Sequence, residues 1–314
     1  YYRTRTTLII KIETDEGISG WGETVAFAGI RQTIEEQYGA ILLGRDPTEH
    51  RALWRELWGQ NFGNGIALGG LDIALDDLRG KALGMPVAEL YGGRLRPRVQ
   101  AYASAMNYIE GEDPAEYYPK EATQLVAQGF RALKMRIGGQ PIARDLAAIK
   151  AVRQAVGPDI KLMADGNGAY ALGSAIRMGR ELEQQDFYWF EEPLPQCTPD
   201  YPGYEVLAAK LDIPLAACEG LTARGRFKEA LCRRAMDIVQ PDVALAGGIQ
   251  GNLDGGIPSG HVQDRRGEHH RRQQQNARAA QNPIEHDDLV ASAPGRSSII
   301  PRGGSVITLR PGGR

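Results

Sequence analysis

Cysteine is scarce in this chain: three occur in 314 residues, at Cys197, Cys218 and Cys232, an odd number with no CxxC spacing. That argues against a disulfide framework and predicts buried, reduced thiols of a cytoplasmic protein. Long apolar runs are also missing. No segment approaches the length of a membrane span, and the first residues lack a signal-peptide pattern. Charge of one sign is not in excess either. A formal net charge of -2 argues against nucleic acid or an acidic membrane surface as the main partner. With 42% hydrophobic and 24% charged residues, the composition is that of an ordinary globular protein, long enough for a barrel and a smaller domain. The sequence opens at Tyr1-Tyr2-Arg3, without Met and already close to a strand, so preceding residues are expected.

The first third reads as α+β. TTLIIKIET (6–14) is a strand and Asp15-Glu16-Gly17 a turn, after which ISGWGE (18–23) returns antiparallel. Helices are predicted over 30–42, 48–58 and 66–83. The last is apolar nearly all round, so it should be buried, and Gly84 and Pro86 end it. From Val99 the texture becomes an alternation of strand and helix. Strands are predicted at 99–105, 132–138, 160–166, 187–193, 214–220 and 237–243, with helices near 115–128, 143–156, 172–184, 204–211 and 226–233. Such repetition implies a parallel sheet covered by helices. Six units are visible, whereas a closed barrel needs eight.

Three of these strands end on a carboxylate: Asp165 in KLMADGN, Glu191 in YWFEEP and Glu219 in PLAACEG. In a βα barrel the carboxyl ends of the strands converge on one mouth, where sites are built. Three acids meeting there repel one another unless a cation holds them, and hard oxygen ligands suit Mg²⁺. The structural alternative, helix caps or surface charges at loop starts, would win for one isolated acid. Lys134 and Arg136 lie two apart on a strand and so share a face. They are either an interior ion pair with Asp165 or part of the chemistry.

The stretch 250–314 breaks the pattern. It has no aromatic residue and no Lys, yet nine Arg and four of the five His. HVQDRRGEHHRRQQQNARAAQN is too polar for a barrel strand with its helix. The bias resembles DNA read out of frame. The expected organisation is therefore 1–98 α+β cap, 99–249 barrel units one to six, and 250–314 an atypical tail, leaving the barrel incomplete at its C-terminal end.

Taken in order, DEGISGWGE (15–23), ALDDLRGKALGMPVAELYGG (74–93), GFRALKMRIG (129–138), ADGNGAY (164–170), WFEEPLP (189–195), CEG (218–220) and DIVQPDVALAGGI (237–249) resemble the mandelate racemase/muconate lactonizing branch of the enolase superfamily. The resemblance implies an α+β capping domain over a modified (β/α) barrel of the TIM type. It also implies Mg²⁺ held by Asp165, Glu191 and Glu219. The common step is removal of a proton α to a carboxylate, giving an enediolate whose charge the cation stabilises. The pair Lys134 and Arg136 occupies a KxK position whose second lysine is usually the base. Guanidinium is a poor base and a good carboxylate partner. Either Lys134 takes the proton or Arg136 only binds substrate. Asp242 sits where the family has the aspartate of a His–Asp dyad. The histidine's strand is missing, and His269, at about the right distance along the chain, has no strand context.

Asn167 and Glu192 are expected to orient the ligands, turn chemistry being an equal alternative for Asn167. The loop 60–66 is a connector or a cap over the mouth. Trp21, Trp54, Trp58 and Trp189 read as core or interface. The expected activity is Mg²⁺-dependent dehydration of a hydroxy-carboxylate such as an acid sugar, with epimerisation or racemisation second. The partner is that small molecule, and the open strand edges predict a homo-oligomer. A rival reading is a non-catalytic remnant that keeps the metal site, and a third is a barrel using no metal.

Overall fold

The computed structural model describes residues 6–60, 65–195, 201–254 and 305–311. In the first third, β1 (Thr7–Thr14) and β2 (Ser19–Val25) form the expected hairpin, paired from Thr7 with Val25 to Glu13 with Ser19. Alternation buries Leu8, Ile10 and Ile12 on one face of β1. On β2 the buried positions include Gly20, Gly22 and Thr24, so Trp21 points outward and is 50% exposed. The expectation that Trp21 belongs to the core is thus corrected by the two-residue period of the strand. The inward glycines serve close packing: a Cβ on Gly22 would lie 2.1 Å from the carbonyl oxygen of Gly70.

The helix predicted over 30–42 is α1 (Ile30–Gln32) and α2 (Gly39–Leu42), joined by a π-helical stretch, Thr33–Tyr38. Next come α3 (His50–Gln60) and α4 (Gly65–Leu83), whose apolar side chains bury against β1, β2 and α3 in one core cluster. A short α5 (Val87–Leu90) follows. The antiparallel sheet has the order β2-β1-β9. Its third strand, β9 (Ser305–Pro311), comes from the far end of the chain and pairs along β1 from Leu8 with Pro311 to Thr14 with Ser305. The stretch 250–314 therefore contributes a strand to the first sheet. His269 and the rest of 255–304 lie outside the described residues, as do 61–64 of the predicted loop.

The second sheet is parallel and six-stranded, β3-β4-β5-β6-β7-β8: β3 (Ala103–Ser104), β4 (Ala132–Arg136), β5 (Lys161–Asp165), β6 (Trp189–Glu191), β7 (Leu215–Ala217) and β8 (Ile238–Val239). Between them run α6 (Pro114–Ala127), α7 (Ile142–Val156), α8 (Leu172–Gln184), α9 (Tyr201–Lys210) and α10 (Arg224–Arg233). Asp113 caps α6, accepting from the Ala115 amide at 3.0 Å, and Pro114 follows where no amide hydrogen is needed. The large core cluster lies between sheet and helices, and a small one, Ala132, Met163, Trp189, Ala216 and Ile238, fills the opposite, inner face of the sheet. The architecture is the expected α+β cap with a (β/α) unit, and among the described residues the parallel sheet has six strands. The ladders are shorter than predicted at the edges. Of 99–105 only Ala103–Ser104 pairs, and Val99 is 85% exposed.

The last helix among the described residues, α11 (Gly248–Asp254), joins the two halves. The turn before it presses on α4, where a Cβ on Gly69 would meet the Ala244 carbonyl oxygen at 2.1 Å. The Trp54 indole N–H donates to the Gly247 carbonyl at 2.7 Å, and the Gln250 amide donates to Asp72 at 3.2 Å.

Candidate active site

The register of the parallel sheet sets the site. Arg136 lies level with Asp165, and Asp165 with Glu191. Each carboxylate is the last residue of its strand. Side chains alternate, so the inner-face residues run Ala132, Lys134 and Arg136 on β4, Met163 and Asp165 on β5, and Trp189 and Glu191 on β6. An apolar floor thus carries a charged upper layer.

Asp165 and Glu191 are buried, at 0% and 3% exposure. Between them sits the Lys134 ammonium, 2.5 Å from Glu191 Oε1 and 3.1 Å from Asp165 Oδ2. The Arg136 guanidinium also donates to Asp165 Oδ2, and to Asn167 Oδ1 at 3.0 Å. The Asn167 amide closes the group by donating to Asp165 Oδ1 at 3.0 Å. Burial alone would lower the pKa of Lys134. Glu191 and Asp165 reverse that and hold it above the usual lysine value. Glu191 is raised by burial and then by Asp165, because two carboxylates share one ammonium. The ion pair that the sequence offered as the structural reading of Lys134 and Arg136 is present. It is built on two of the three predicted ligands.

Glu219 stands apart. It is an exposed turn residue outside this knot, following Cys218, whose φ of 93° is a left-handed conformation that a side chain disfavours. Cys218 is buried, whereas Cys232 is exposed, against the expectation that the thiols are buried; Cys197 lies outside the described residues. Glu192, next after Glu191 along the chain, has a left-handed φ of 41° and lies within electrostatic reach of Asp165, Glu219 and Glu191. It is 2% exposed and its Oε2 has no hydrogen-bond partner. Burial first, then the charges of Asp165, Glu219 and Glu191, push its pKa up to about 8. Asp242 accepts from the amides of Ala244 and Leu245 at 2.8 and 3.4 Å, which makes it the cap of the turn leading to α11.

Sequence reasoning missed three neighbours of Glu191. Its Oε2 accepts from the Trp189 indole at 2.9 Å and from the Gln240 amide at 3.2 Å. Tyr102 stands edge-on to Trp189, ring centres 5.5 Å apart, and faces Lys134 at 5.9 Å. The i, i+2 spacing of Trp189 and Glu191 was a legible signal. The reach of Gln240 from β8 was not.

Among the described residues, the one group of three possible ligands with all atoms within 4.8 Å of one another is His50, Asp72 and Asp76, all buried. Its donors and acceptors are already matched. His50 Nε2 pairs with Asp72 at 2.6 Å, and Arg79 donates to His50 Nδ1 and Asp76, both at 2.8 Å. The Tyr91 hydroxyl donates to Asp76 at 2.7 Å. With an arginine wedged between ligand atoms, this group is a buried junction of α3, α4 and α11.

The description "Mandelate racemase / muconate lactonizing enzyme, N-terminal domain" matches residues 2–92, and "Enolase C-terminal domain-like" matches 118–254. The D-galactarolactone cycloisomerase of Agrobacterium fabrum is 36% identical over 78% of this chain and 66% of its own length. The arabinonate dehydratase of Saccharolobus solfataricus is 36% identical over 76% and 65%. The chain thus spans just under two thirds of these curated relatives. Among solved structures, the 3,6-anhydro-D-galactonate cycloisomerase of Zobellia galactanivorans superposes with a TM-score of 0.71 at 34% identity, covering 79% of this chain and 73% of that one. A racemase of Streptomyces coelicolor with bound magnesium gives a TM-score of 0.73 at 28% identity, covering 80% and 72%. The chain belongs to the mandelate racemase/muconate lactonizing enzyme family of the enolase superfamily.

Proposed function

We propose that this chain removes a proton α to the carboxylate of an acid sugar, with dehydration as the outcome and epimerisation or racemisation as the second possibility. The observation that carries this reading is Lys134, buried between Glu191 at 2.5 Å and Asp165 at 3.1 Å at the carboxyl ends of adjacent strands. The donor set fits a hard divalent cation. It offers buried carboxylate oxygens already gathered around positive charge, and one further buried carboxylate, Glu192, with an oxygen left unpartnered. Asp165 and Glu191, joined by Glu219 from its turn, would hold Mg²⁺. When bound, the cation supplies the positive charge that stabilises the enediolate. The similar proteins named as a cycloisomerase and a dehydratase support an acid sugar as the substrate class.

The chain's own residues divide the remaining work. Lys134, on the inner face, would act as the base only with a cation on Asp165 and Glu191, because those carboxylates otherwise hold its ammonium protonated, above the usual lysine value. Arg136 is held by Asp165 and Asn167 and orients the substrate carboxylate with its planar fork of donors. Asp242 contributes by shaping the turn after β8. No residue is assigned to the opposite face, which favours one-base chemistry over racemisation.

A second reading, a remnant that binds a cation and a carboxylate without turnover, is favoured by the exposure of Glu219 and the six-stranded sheet. Exchange of the substrate α-proton in D₂O, measured with and without Mg²⁺ across a panel of sugar acids, separates the two. The proposal expects Mg²⁺-dependent exchange with at least one acid. Exchange without turnover would mean a base without its partner acid, and no exchange with any acid would leave the remnant.

A further inference from the structure

Glu191 is held by three side chains, from β4, from β6 and from the residue after β8. Lys134 on β4 takes Oε1, while Trp189 on β6 and Gln240 beyond β8 both donate to Oε2, at 2.9 and 3.2 Å. Gln240 begins two strands away, since β7 lies between β6 and β8. Its backbone amide continues the β7–β8 ladder by donating to the Ala217 carbonyl at 2.9 Å. Its side chain therefore crosses the inner face above β7. The crossing is open because β7 presents Ala216 there, level with Glu191 on one side and Ile238 on the other. A larger residue at 216 would stand in the path. Trp189 is fixed in turn by the floor residues Ala132, Met163, Ala216 and Ile238, and by Tyr102 edge-on at 5.5 Å.

We propose that Gln240 is a positioning residue that, together with Trp189, clamps one oxygen of Glu191 and aims the other at the cation, so that Gln240 sets metal affinity without touching metal or substrate. Two neutral N–H donors on one oxygen fix the rotation of the carboxylate and leave its negative charge intact. A cation in their place would compete for that charge. The inference rests on the proposed metal role of Glu191.

The test is calorimetric titration of Mg²⁺ into the full chain, beside thermal melts in EDTA. Gln240→Met keeps the length of the side chain and removes the donor, so Mg²⁺ should bind about tenfold more weakly with little change in the metal-free melt. Gln240→Asn keeps the amide but is a methylene too short to cross β7, and should weaken binding to a similar extent. Because both donors hold one oxygen, the losses from Gln240→Met and Trp189→Phe should not add in the double variant. Wild-type affinity in both Gln240 variants, with Mg²⁺ binding intact in the parent, would overturn the clamp and leave the proposed function standing. Absence of Mg²⁺ binding by the parent would overturn both. Equal loss of affinity and of metal-free stability in the two variants would show a purely structural residue and also overturn it.

Discussion

Replacing Lys134 by methionine is expected to lower α-proton exchange on the order of 10³-fold, within the range that a positioned base supplies. Methionine fills the same space without the amine. The variant should also be less stable without metal, because Lys134 lies between two buried carboxylates, at 2.5 and 3.1 Å. Removing one partner from a buried ionic group typically costs about 3–5 kcal/mol. Both effects come from one side chain, and they separate on adding Mg²⁺. A cation on Asp165 and Glu191 would restore stability but not exchange. Exchange rates of Lys134→Met at saturating Mg²⁺, with denaturant melts in its presence and absence, check the pair of outcomes. Undiminished exchange would remove Lys134 from the chemistry and leave it as an interior ion pair.

The second large effect concerns Glu192 and pH. Its pKa in the folded chain is pushed up to about 8, by burial first and then by Asp165, Glu219 and Glu191, whereas an unfolded glutamate titrates near 4.3. The folded state therefore holds a proton that the unfolded state has released. This stabilisation is fully present below the unfolded value and is lost as pH rises through about 8. With metal chelated, stability should fall across that window by up to roughly 1.4 kcal/mol per pH unit from this group. Glu192→Gln keeps the shape and carries no charge to bury, so its stability should vary less over the same range and exceed wild type at the alkaline end. Urea melts from pH 5 to 9 in EDTA measure both slopes. Parallel slopes would mean that Glu192 ionises freely in the folded chain.

Much of this site was legible because strand ends in a parallel sheet are marked by simple chemistry. A short apolar run that stops on a carboxylate, as at Asp165 and Glu191, announces both the strand and the mouth of the sheet, and the i, i+2 spacing of Lys134 and Arg136 puts both on one face. What escaped depends on contacts between distant segments. Trp21 is exposed because Gly20 and Gly22 take the inward positions against α4, a fact about packing rather than hydrophobicity. The stacking of Gly69 on the turn at Ala244 could not be read without knowing that α4 meets that turn. The carboxylate of Asp242, whose place in DIVQPDV matches a family motif, also caps the adjacent turn, a contact that residue types alone do not announce. The left-handed backbone at Cys218, just before Glu219, leaves no trace in a pattern of residue types. The strand at 305–311 was hidden because a single strand alongside β1 answers to the first sheet and not to the βα rhythm that precedes it.

The central claim is a cation held jointly by Asp165, Glu191 and Glu219. Equilibrium titration of Mg²⁺ into the full chain and into Asp165→Asn, Glu191→Gln and Glu219→Gln tests it most directly. One site is expected in the parent and its loss or severe weakening in each variant, Glu219→Gln included although that residue is exposed. A site that persists unchanged in all three variants, or a parent that binds no Mg²⁺, would contradict it.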